Sequence, residues 1–226
     1  MRLKNMILGD INFQRKYGFY YIYIVLIAVY GFIIYILPSD WRKPATAIMI
    51  YSDPAAMGMF FMGAIVLLEK SENVLNSIAI SPVKTEEYIL SKIISLGIIS
   101  VITALILGAI AGLTNYFEIA ISVFLCSSFF TLLGLLVASK VSSLNQFTIA
   151  TVPFEIICFL PPIIAMFWCD SYLFTIHPGT ACINLITQTG NIYLNIGVIL
   201  IWFLLLWKIV VKSVKKMINS VGGIKL

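Results

Sequence analysis

Few residues in this chain could do chemistry, and their spacing limits what that chemistry could be. Glu86 and Glu87 are adjacent carboxylates just ahead of a long apolar run, and Glu155 stands alone inside another. His177 is the single histidine. Cys126, Cys158, Cys169 and Cys182 form neither a CxxC pair nor a Cys/His ligand spacing. A metal-assisted hydrolase needs clustered ligands, which one histidine does not supply. No GxxxxGK[ST] occurs and no glycine is followed by lysine, so the loop that cradles nucleotide phosphates is missing. Glutamates at a helix start are accounted for by the positive end of the helix dipole.

The elements that hold these residues are apolar. Of 226 residues, 61% are hydrophobic and 11% charged, against about 25% charged in soluble domains. Six runs reach the roughly 20 residues that cross a bilayer as helix: Gly18–Leu37, Ala47–Leu68, Ile93–Leu113, Ile119–Ala138, Phe147–Phe167 and Ile192–Val211. The first is too long and aromatic for a signal peptide and lacks a small-residue cleavage site, so it reads as retained. Backbone groups in lipid must be satisfied internally, which selects helices. The expectation is an all-α membrane protein, residues 1–226 forming one transmembrane domain.

Lysine and arginine set the orientation. With the N-terminus inside, thirteen of the fifteen basic residues lie on the inner side, and only Arg42 and Lys43 lie outside. Both termini and the polar stretch Glu69–Lys92 are then cytoplasmic. The net charge of +5 follows from this topology and does not call for nucleic acid.

Leu3, Met6, Ile7 and Ile11 recur at helical spacing, with Lys4, Asp10, Asn12, Arg15 and Lys16 on other faces. Met1–Lys16 therefore reads as an amphipathic interfacial helix. Trp41 and Trp168 suit the outer interface and Trp207 the inner one. Gly108 and Gly112, with Ala104 a turn earlier, suggest a small-residue packing face. Asp53-Pro54 reads as a turn near the outer start of the second span, with a polar pathway residue as the alternative. Pro161-Pro162 should break or kink the fifth span, and His177-Pro178-Gly179 should turn the chain. Short outer re-entrant helices are expected between spans five and six. Cys169 and Cys182 both fall on the outer side, either as a disulfide or as two free thiols. Glu155 lies deep in the fifth span, where a carboxyl faces the bundle interior or a cavity. It is the one candidate substrate-pathway residue.

Between spans two and three, Ser71 is placed to cap a short helix whose Val74, Leu75 and Ile78 share a face. Ser81-Pro82 ends it. Thr85 caps the next helix, and Lys92 anchors that helix at the inner interface. This segment resembles the ABC-2 type exporter permeases. They carry, after the second span, a Glu with a basic neighbour, an apolar-Leu pair, Ser/Thr-Pro-apolar, an aromatic-apolar pair and a Lys. Here these are Glu69-Lys70, Val74-Leu75, Ser81-Pro82-Val83, Tyr88-Ile89 and Lys92. The run GDINFQRKYGFYY resembles the start of the fluoroquinolone-exporter-like branch of that family.

The resemblance implies the membrane subunit of an ATP-driven exporter, with a second permease copy (identical or related) completing the pathway. It also implies a coupling helix in residues 69–92 that docks on a separate cytoplasmic ABC ATPase. Carried over by position, Glu69, Lys70, Glu72, Val74, Leu75, Ile78, Ser81 and Pro82 would contact or orient that partner, which would hold the ATP and Mg; this chain would hold no cofactor. The cargo would be a drug, antibiotic or other amphiphile, and the location a bacterial cell membrane. Read without the resemblance, the segment is equally a solvated loop with two capped helices, and the chain a non-transporting scaffold or immunity protein. Intramembrane proteases of the CAAX type need an arginine where Ser91 stands and histidines in later spans, which disfavours them.

Overall fold

A computed structural model describes residues 2–167 and 172–221. Its helices are α1 (Arg2–Lys16), α2 (Phe19–Ile36), α3 (Ser39–Ile50), α4 (Met57–Ser71), α5 (Val74–Ile80), α6 (Thr85–Ile110), α7 (Tyr116–Ala138), α8 (Leu144–Phe167), α9 (Tyr172–Thr175), α10 (Pro178–Thr187) and α11 (Ile192–Val221). No strand occurs among the described residues. Among the described residues, six helical runs are long and apolar enough to cross a membrane: α2, α3 continued through α4, α6, α7, α8 and α11.

The middle of the bundle is α4, α6 and α7. Of the apolar stretch of each crossing, 67% is buried in α3–α4, 56% in α6 and 72% in α7, but only 28% in α2 and 17% in each of α8 and α11. Glycines let the central helices approach closely. A Cβ at Gly134 would stand 2.5 Å from the Met59 carbonyl oxygen, and one at Gly97 would stand 2.7 Å from the Phe124 ring. Gly63 of α4 likewise faces the Phe147 ring of the outlying α8, with no room for a methyl group. The expected Gly108/Gly112 packing face is not used in this way. Gly112 has φ +74° and lies just past the end of α6. Its N–H donates to Ala109 O (3.1 Å), and Leu113 N–H donates to Gly108 O (2.9 Å). That is a Schellman termination, which needs a residue free to adopt the left-handed region.

The second crossing starts earlier than its apolar stretch suggests, at Ser39. Its polar first turns are tied back to the first crossing: Arg42 donates to Leu37 O (2.9 Å) and Tyr35 O (3.2 Å). The turn expected at Asp53-Pro54 is absent. Tyr51–Ala55 forms a π-helical turn that carries α3 on into α4. Pro54 has no N–H and its ring crowds the carbonyl four residues back, so the ladder widens locally and the helix continues.

Of the break or kink expected at Pro161-Pro162, no break occurs, and α8 runs through both prolines to Phe167. Each proline leaves a carbonyl without its usual donor four residues on, and other elements supply the donors. His177 Nε2 lies 3.0 Å from Ile157 O, four residues before Pro161. Tyr51 donates to Cys158 O (2.7 Å), four residues before Pro162. At these two prolines the freed acceptors are satisfied from outside, and the helix continues.

At that end of the bundle α10 is buried from Pro178 to Ile186, apart from Asn184. His177 caps it, with Nδ1 accepting from Gly179 N–H (3.1 Å). Ser122 donates to Cys182 O (3.0 Å), holding α10 against the start of α7. Cys182 is a buried thiol; Cys169 and Trp168 lie outside the described residues. Trp41 is exposed, and Trp207 is half-buried against Phe203.

Candidate functional site

At the opposite end, the segment between α4 and α6 rests on a cluster of buried charge. α4 ends with Glu69 facing inward. On α6, Tyr88 and Lys92 lie four residues apart and share a face. On α1, Asp10 and Gln14 do the same. Lys92 pairs with Glu69 and, at 2.5 Å, with Asp10. Tyr88 donates to the other Glu69 oxygen (2.6 Å). Gln14 donates to Ser95 Oγ (2.9 Å), one helical turn beyond Lys92.

Burial decides what this cluster is. Lys92 is 2% exposed and Glu69 5%. From sequence, Lys92 anchors α6 at the inner interface and Asp10 takes a face apart from the apolar one. Both side chains point into the bundle, where each is the other's counter-ion. A charge buried this deeply is held by its partners, and removing one partner typically costs about 3–5 kcal/mol. The cluster thus fastens α1, α4 and α6 together at one level.

Lys70, next along the chain, does a different job. Its ammonium donates to Ala138 O (2.7 Å) and Val141 O (2.7 Å), closing the carbonyl end of α7. Ser71 does not cap α5. It is the last residue of α4, its hydroxyl donating to Leu68 O (2.9 Å). The reversal into α5 is made by Asn73 at φ +57°, a conformation asparagine tolerates better than most residues. Thr85 is the first residue of α6 rather than its cap; Lys84 holds the cap position, its N–H donating to Glu87 (2.9 Å).

The inward face of α5 is Leu75, fully buried, with Ile78 and Ala79 packed on the same core. That core includes Val210, Val214 and Met217 of α11. Val74 is half-exposed. The outward face carries Asn76, Ser77 and Ile80, and Ile80 is 88% exposed. Pro82 is exposed and Ser81 half-buried, its hydroxyl donating to Ile78 O (2.8 Å). α1 runs alongside and grips both ends of the segment. Arg2 donates to Pro82 O (3.1 Å), and Tyr17 donates to Glu72. The Glu72 carboxylate pushes the Tyr17 phenol above its ordinary range, chiefly through that hydrogen bond.

Of the positions singled out from sequence, the structure gathers Glu69, Lys70, Glu72, Leu75, Ile78, Ser81 and Pro82 at one end, in different roles. Glu69 and Lys70 are internal fasteners, Leu75 and Ile78 are core, and Glu72 and Pro82 face outward. Ile80 and Asp10 were missed. Ile80 completes no apolar stripe with Leu75 and Ile78, and that mismatch was the available signal. Glu155 sits on the opposite flank, half-exposed near the middle of α8. It belongs to neither ion pair found among the described residues. Asp53, the other carboxylate at depth, accepts from Tyr30 and from Ser52 (3.0 Å).

Six apolar helical runs with a polar segment fastened at one end define a multi-pass membrane protein. Residues 1–217 match the family model described as the fluoroquinolones export permease protein family, and the chain belongs to that family. No curated protein matches the chain. The match extends a resemblance drawn from residues 9–23 and 69–92 over nearly the whole sequence.

Proposed function

We propose that this permease is the membrane half of an ATP-driven exporter, with its termini and α5 on the cytoplasmic side of a bacterial plasma membrane. A separate ABC ATPase, holding ATP and Mg, docks on the outward face of α5. Two permease copies enclose the pathway. The cargo is a fluoroquinolone-like drug, an antibiotic or another amphiphile, as the family description suggests. Glu155, half-exposed on a lightly buried helix, is assigned to that pathway, where it attracts cationic groups.

The observation that carries this reading is the contrast within α5. Leu75 locks the helix to the bundle while Ile80, one of the most exposed large apolar side chains, stands clear on a backbone fastened at both ends. A docked partner that buried Ile80 would gain about 1.5–3 kcal/mol. Its push would pass to α4 and α6 through the Glu69–Lys92–Asp10 cluster. ATP energy would then act by shifting the balance between conformations that contact the partner differently.

The test is affinity purification in mild detergent from the native membrane, with Ile80→Asp beside wild type. A P-loop ATPase that accompanies wild type and is lost with Ile80→Asp, both chains eluting as folded monodisperse protein, supports docking. An ATPase retained by Ile80→Asp would refute this surface. No ATPase with folded wild type would favour the scaffold reading. Leu75→Asp is unsuitable here, because it would unfold the segment from within.

A further inference from the structure

At the α10 end of the molecule lies a cavity of about 490 Å³ that the coupling reading does not use. Pro162, Ala165 and Met166 of α8 form one wall, and Phe174 of α9 another. Thr180, Ile183, Asn184 and Thr187 of α10 face them, and the exposed Thr189 and Gly190 form the rim. The volume falls within the range of small-molecule sites. Among the described residues that line it, none carries a charge. Thr180, only 7% exposed, keeps a hydroxyl that has no hydrogen-bond partner among the described residues. Buried hydroxyls are nearly always paired, so an orphan beside a cavity marks a place where a ligand atom completes the set.

We infer that this cavity binds an uncharged amphiphile: an aromatic or aliphatic body against Met166, Phe174 and Ile183, with one hydrogen-bonding group reaching the Thr180 and Asn184 side. An ionised carboxylate or ammonium would find no counter-charge among the described lining residues to offset its desolvation. An outer-leaflet neutral lipid and an uncharged solute share this chemistry. The site lies within one chain and needs neither the ATPase nor a second copy, so its failure would leave the coupling reading untouched.

The test uses the full chain in nanodiscs with 4-(hydroxymethyl)benzophenone, a neutral photoactivatable alcohol, and 4-benzoylbenzoate as its charged counterpart. Labelled peptides are mapped by mass spectrometry. The neutral probe should label Met166 or Phe174 and be competed by unlabelled alcohol. Ala165→Phe, which fills the space, should abolish that labelling. Thr180→Val, which keeps the shape, should weaken competition about fivefold, the worth of one hydrogen bond. Each variant is first shown to be monodisperse with wild-type helicity. Label spread over the lipid-facing Ile156 and Leu160 and unmoved by Ala165→Phe would overturn the site. Equal labelling by the benzoate would overturn the ligand class. Lipid analysis of the purified chain separates the sources: a stoichiometric neutral lipid lost with Ala165→Phe identifies a lipid site, and competed labelling without such a lipid identifies a solute site.

Discussion

Replacing Tyr51 by phenylalanine removes one hydroxyl and keeps the ring. Tyr51 is 1% exposed, and its hydroxyl donates to the Cys158 carbonyl at 2.7 Å. Pro162 cannot supply the N–H that would normally satisfy that carbonyl. Tyr51→Phe therefore leaves a buried acceptor without a donor, which should cost about 1–3 kcal/mol. In a Pro162→Ala background the alanine N–H can return to Cys158 O, and the same substitution should then cost under about 1 kcal/mol. The four chains form a double-mutant cycle with an expected coupling of about 1–2 kcal/mol. The assay is unfolding by SDS titration in mixed micelles, followed by circular dichroism. Equal cost of Tyr51→Phe in both backgrounds would refute the argument that proline-freed carbonyls are what these side chains serve.

Lys92→Met should destabilise the fold by about 3–5 kcal/mol, because it strands Asp10 and Glu69 together, whereas Asp10→Asn keeps the Lys92–Glu69 pair and should cost less; the same titration ranks them. Gly134→Ala should sharply lower the yield of folded protein, since the added methyl meets the Met59 backbone, which cannot rotate away. Gly112→Ala should cost only about 1 kcal/mol for the left-handed backbone. Stability should also fall with pH at the α10 end. Burial lowers the His177 pKa below its ordinary 6.5, outweighing the opposing effect of the Ile157 carbonyl. The folded state thus binds the proton less readily than the unfolded one. The neutral ring's contribution is complete above about pH 6.5 and is lost as pH falls through the lowered value. A protonated Nδ1 cannot accept from Gly179, so an unfolding midpoint measured from pH 8 to 5 should drop, and His177→Gln should flatten the drop.

Hydropathy located all six crossings, because the residues that touch lipid or core announce themselves by composition. It does not show where polar residues continue a helix beyond the apolar zone, as Ser39 to Arg42 do before the second crossing; before the third, the capping residues around Thr85 did show it. Proline rules predicted a turn at Pro54 and a break or kink at Pro161-Pro162. Neither proline site interrupts its helix, because a local rule cannot see a π turn absorbing the strain, or Tyr51 and His177 arriving from distant sequence. The polar segment between α4 and α6 was legible as a unit, while the direction of its side chains was not. Lys92 looks like a surface residue until Asp10, far away in the chain, is known to face it. Charge pairing across such a separation leaves no periodic trace.

The uneven packing of the bundle has a mechanical consequence. α4, α6 and α7 interlock through glycines and share most of the core, so they behave as a stiff mast. Over most of its length α8 shows its surface to whatever surrounds the chain, and among its hydrogen bonds to other elements are two latches, Tyr51 and His177, thrown into notches that prolines cut in its own backbone. Beyond the buried Phe147 ring at its start, little interdigitated packing holds this helix, so the latches carry much of what fixes its far half. The prolines that looked like breaks are better understood as keyholes.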